Sequence, residues 1–126
     1  MITKEELMIG DWVYNTHNRK PEQVCEVRER MVMLDYNDLY DYDEIEPIPL
    51  TEEILKANGF YSERNIGYVY EDGEHEVIVD LWNHDYRILY NRDVVVNIHC
   101  FFDIAVHELQ HALRLCGVEK EIKLED

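Results

Sequence analysis

The stretch His99–Gly117, HCFFDIAVHELQHALRLCG, decides how the rest of the chain reads. It is the longest helical pattern in the sequence. On a helical wheel Phe102, Ala105, Val106, Leu109, Ala112, Leu113 and Cys116 fall on one stripe, which predicts a helix with a single buried face. Asp103 suits the first turn as a cap, and Gly117 suits a left-handed stop. His107, Gln110, His111 and Arg114 lie nearly opposite the stripe and are predicted to face solvent. A long one-sided helix needs a sheet to bury against, so the expected class is α+β.

The same stretch contains His107-Glu108-Leu109-Gln110-His111, an HExxH match. Two imidazoles four residues apart share a helix face and can grip one zinc, with Glu108 placed as general base. A catalytic zinc also needs a third protein ligand and an open position for water. The extended form of the motif wants Gly and then His where this chain has Arg114 and Gly117. Glu119, Glu121 and Glu125 lie in a short tail that reads as extended, and His84, His99, Cys100 and Asp103 fit no ligand spacing. The expectation is a solvated helix face with no metal. The alternative is a zinc-dependent hydrolase with His107 and His111 as ligands and Glu108 as base.

The chain has 126 residues, the length of one domain or of two small lobes. Lys and Arg total 12 against 28 Asp and Glu, for a formal net charge of −16. That surface repels nucleic acid and anionic membrane, and it favours basic protein partners. The three cysteines, Cys25, Cys100 and Cys116, are scattered and odd in number, which suits thiols in a reducing compartment. The N-terminal MITKEELMIG lacks the basic and long apolar regions of a signal peptide, and no apolar run reaches membrane-span length. A soluble cytoplasmic protein is expected.

In chain order, Trp12 to Tyr14, Gln23 to Val27, Met31 to Tyr36 and Leu39 to Tyr42 read as short strands separated by turns. Close spacing and one early Trp predict a small SH3-like β-barrel lobe over residues 1–50. Pro47 and Pro49 make an extended connector. Thr51 is a natural N-cap, with Glu52 and Glu53 in the first turn and Asn58-Gly59 as the stop. Strands over Gly67 to Tyr70, Glu76 to Trp82, Tyr86 to Tyr90 and Val94 to Ile98 follow, with Asp72-Gly73 in a tight hairpin turn. Residues 51–126 are thus expected to form a second lobe: a helix, a four-stranded antiparallel meander and the long C-terminal helix across it.

Three blocks carry a resemblance: Ile9-Gly10-Asp11-Trp12-Val13; Ile45 to Leu55 with Asn58-Gly59-Phe60; and Val106-His107-Glu108-Leu109-Gln110 with Gly117. In these the chain resembles a group of small uncharacterised proteins encoded by phages and mobile elements of gut Bacteroidetes. The resemblance covers most of the chain in the same order. It implies no activity, leaves Glu108 and His111 optional in the helix pattern, and implies a setting in which small acidic proteins act on host machinery.

The residues that suit such a role lie in Asp35–Glu46, DYNDLYDYDEIE, which holds six acids. With Leu39 to Asp43 as a strand, Asp41 and Asp43 project from one face about 6.6 Å apart, close to the phosphate spacing of a nucleic-acid strand. Tyr40 and Tyr42 are amphipathic contact groups, though strand tyrosines also serve cross-strand packing. The expected function is an acidic interaction protein that contacts a basic, nucleic-acid-binding host protein through Asp41, Asp43, Glu44, Glu46, Tyr40 and Tyr42.

Overall fold

The computed structural model describes residues 2–35, 38–64, 66–81, 85–99 and 104–124. The expected cap Asp103, the stripe residue Phe102, and Tyr36, His84, Cys100 and Glu125 lie outside the described residues. The fold is α+β, with two antiparallel sheets and few helices. Two compact units divide the chain: Met1–Ile48 with Ala105–His107 and Leu124–Asp126, and Pro49–Ile104 with Glu108–Lys123.

The first unit holds β1 (Trp12–Asn15), β2 (Lys20–Val27), β3 (Met31–Leu34), β4 (Leu39–Asp41) and β5 (Ile45–Glu46), ordered β4-β3-β2-β1-β5. Strand alternation sorts its residues. Val13, Val24, Val32, Leu34 and Ile45 turn inward and form a core with Ile2, Leu7 and Tyr40. The same alternation carries Asn15 and Glu22 inward, and Glu22 is only 2% exposed. Their polar atoms are satisfied together. Asn15 Nδ2 donates to Glu22 Oε1 at 2.6 Å, and Asn18 Nδ2 donates to Glu22 Oε2 and to the Tyr40 hydroxyl, each at 3.1 Å. Asn15 Oδ1 accepts the His17 and Asn18 amides, so one buried asparagine shapes the β1–β2 loop.

The second unit opens with α1 (Glu52–Ala57), capped as its sequence implies by the Thr51 hydroxyl, which accepts from the Ile54 amide at 3.3 Å. Five strands follow: β6 (Tyr61–Glu63), β7 (Gly67–Asp72), β8 (His75–Asp80), β9 (Asp85–Tyr90) and β10 (Asp93–His99), in the order β10-β9-β8-β7-β6. The expected four-stranded meander is therefore five-stranded. The added β6 is three residues long and owes its existence to pairing with β7, a non-local term that no propensity reports. Val77, Ile78 and Val79 are buried in succession, so both faces of β8 are covered.

The last element, α2, spans Val106–Leu115. At ten residues it is shorter than the helix predicted over His99–Gly117. The β-branched run Val94-Val95-Val96 extends as β10 as far as His99, which pairs with Asp85, so sheet pairing claims the front of the stretch. Both helices end alike. Gly59 and Gly117 take φ +87° and +73°. The next amides, of Phe60 and Val118, reach back to Leu55 and Leu113 at 3.0 and 2.8 Å. Phe60 and Val118 are themselves buried, which completes the apolar contact of this stop. No helix among the described residues is long and apolar enough to cross a membrane.

Candidate interaction surface and the helix motif

The acidic segment departs from its expected conformation. β4 stops at Asp41, and Tyr42–Glu44 is a 3-10 turn. Asp41 and Glu44 form a capping box, with the Asp41 amide donating to Glu44 Oε1 at 3.2 Å. The spacing Asp-x-x-Glu was a readable signal for this turn. A second anchor is Thr16, whose amide and hydroxyl both donate to the Glu44 carbonyl, at 2.9 and 2.7 Å. The turn replaces the extended spacing with convergence: one carboxylate oxygen from each of Asp41, Asp43 and Glu44 lies within 4.8 Å of the others. Asp41 and Asp43 are exposed and Glu44 is half-buried. Glu46 is exposed on β5, opposite Tyr14 of β1.

The two tyrosines mostly serve the unit itself. Tyr40 is buried in the core, and its hydroxyl is engaged by Asn18. Tyr42 is half-buried and donates its hydroxyl to the Arg28 carbonyl at 2.5 Å. Burial, and then the nearby Glu5 and Glu29 against the opposing Lys4, push its phenol pKa up.

The HExxH residues do not sit as the wheel placed them. His107 is only 4% exposed, not solvated, and Gln110 is buried too. The wheel allows one covered face, whereas α2 is covered on more than one. The Glu6 carboxylate lies 3.9 Å from His107 Nε2. Glu108 and His111 are half-buried and line a cavity of about 210 Å³ with Val95, Val96, Ala112 and Leu115. Among the described residues, the grouping of three donors close enough to share a cation is Asp41, Asp43 and Glu44, not a set built on His107 and His111.

The strands left a second concavity in the first unit without warning from the sequence. It measures about 310 Å³ and is lined by Ile9, Gly10, Gln23, Val24, Cys25 and Asp35. The chain is thus a strongly acidic α+β protein with two antiparallel sheets and a three-carboxylate turn. No family model, curated protein or solved structure matches it.

Proposed function

We propose that this is a small acidic interaction protein that binds a basic surface of a partner protein through Asp41, Asp43, Glu44 and Glu46. The observation that carries the reading is the convergence of three carboxylates within 4.8 Å on a chain of net charge −16. Like charges held that close repel one another, and a lysine or arginine of a partner relieves all three contacts together. The turn is fixed by its capping box and by Thr16, so little ordering cost falls on binding. Long-range attraction speeds encounter, and salt weakens it. The first unit supports a finer fold reading. Strand order β4-β3-β2-β1-β5 with a 3-10 turn before the last strand suits an SH3-like barrel. The resemblance to phage and mobile-element proteins favours a nucleic-acid-binding host protein as target, with this chain as its inhibitor or modulator in the cytoplasm.

The test is association rate against ionic strength, with a lysine-rich peptide as probe. One variant carries Asp41→Asn, Asp43→Asn, Glu44→Gln and Glu46→Gln, which keep the capping acceptors. A control with the same change in net charge carries Glu5→Gln, Glu53→Gln, Glu74→Gln and Glu119→Gln. The first should associate more slowly and with a shallower salt dependence than the control. Equal rates for the two variants would place the contact elsewhere.

A second reading, a zinc-dependent hydrolase using His107, Glu108 and His111, is favoured by one observation: Glu108 and His111 share a cavity wall. Stoichiometric zinc in the purified protein, lost in His111→Ala, would promote it.

A further inference from the structure

We infer that the concavity of the first unit is a docking pocket for an apolar side chain flanked by lysine or arginine, carried on a segment of the basic partner. The inference rests on the interaction reading above and adds a specificity element to it. Two neighbouring apolar residues stand outside the core beside this pocket. Ile9 is 66% exposed and Met8 44%. Their position is built, not incidental. The Met8 amide donates to Asp11 Oδ2 at 2.8 Å, the Asp11 amide returns to the Met8 carbonyl, and Gly10 takes φ +96° between them. β2 then holds the turn: the Gly10 amide donates to the Val24 carbonyl at 2.7 Å, and Gln23 Nε2 donates to the Gly10 carbonyl at 3.1 Å. Ile9 is therefore presented at the tip of a braced turn.

The pocket is also lined by Asp35, an exposed acid in the left-handed region at φ +50°. Aspartate is one of the few residues other than glycine that visit that conformation. Here Asp35 Oδ1 accepts the Gln23 amide at 2.8 Å, and the Asp35 amide donates to the Gln23 carbonyl at 2.9 Å. Ile9 thus brings an exposed apolar side chain, and Asp35 a held carboxylate, to the same pocket, while the Val24 side chain is turned into the core. That pairing selects an apolar side chain with a cation beside it, and the net charge of −16 favours a basic carrier. The acid turn lies at the opposite end of β3, since Asp41 pairs with Met31 while Asp35 follows Leu34. Four strand steps of about 3.3 Å separate the two along β3, so one extended segment can reach both.

The experiment is amide chemical-shift mapping on the full chain, with a Lys-Leu repeat peptide as probe and a Glu-Leu repeat as control. The Lys-Leu peptide should shift the amides of Gly10, Gln23, Val24 and Cys25 saturably. Ile9→Ser should weaken binding about tenfold or more, as lost burial of one large aliphatic implies. Asp35→Asn, which keeps the local hydrogen bond, should weaken it about two- to fivefold at low salt. Shifts confined to Asp41, Asp43, Glu44 and Glu46 would overturn the pocket and leave the interaction reading standing. Shifts at neither place would remove both. Equal response to the Glu-Leu peptide, or concentration-dependent shifts without any peptide, would overturn the basic occupant in favour of an apolar site or of a second copy of this chain.

Discussion

Replacing Asn58 by alanine tests how the C-terminal segment is held. Asn58 is only 4% exposed and closes α1. Its Nδ2 donates to the Ile54 carbonyl at 2.8 Å and to the Lys123 carbonyl at 2.9 Å, and its Oδ1 accepts the Lys123 amide at 2.7 Å. Ile54 keeps another partner in the Asn58 amide, so the loss falls on the two bonds to Lys123. At about 1 kcal/mol each they sum to roughly 2 kcal/mol, or roughly 8 °C in Tm for a domain of this size. The assay is thermal unfolding with amide hydrogen exchange, in which Lys123 should lose its protection. Asn58→Asp should cost more than alanine, because a buried acid would face two carbonyl oxygens. A Tm within about 2 °C of wild type, the range of an ordinary surface substitution, with Lys123 still protected, would refute the clasp.

Two further outcomes are expected. Leu109 is fully buried on α2, so Leu109→Asp puts an unpaired carboxylate in the core; circular dichroism should report unfolding at room temperature, and a wild-type Tm would contradict the helix phase. Glu52 is held below its ordinary pKa by its hydrogen bond to Lys56, so the folded state takes up that proton less readily than the unfolded chain; the contribution is full above about pH 4.5 and fades as pH falls through the lowered value. A small Tm difference between wild type and Glu52→Gln should therefore be present at neutral pH and absent in strong acid, and a difference that grows toward acid would reverse the sign argued here.

The acidic turn marks where local reading of the sequence succeeds and where it stops. Asp41 and Glu44 carry a capping-box signature that is fully local, yet the alternation of Leu39 to Asp43 suggested a strand. The Glu44 carbonyl is secured by Thr16, 28 residues away, and no window of sequence includes both. Asp35 and Ile9 are similar. Each looks unremarkable in sequence, and only the register of β2 brings Gln23 between them.

By itself the sequence determined the features whose physics is local. Thr51 caps α1 because its hydroxyl reaches the Ile54 amide three residues on. Gly59 and Gly117 end helices because only a residue without a Cβ adopts the left-handed stop at little cost. Gly73, at φ +56°, turns the β7–β8 hairpin for the same reason. The net charge of −16 is a count of side chains. The tertiary structure alone decided the rest: that β10 claims residues up to His99 from the helix, that β6 exists, and that His107 is buried. Each outcome depends on which distant segment supplies the hydrogen bonds or covers the side chain, and that free energy arises only once the chain has folded.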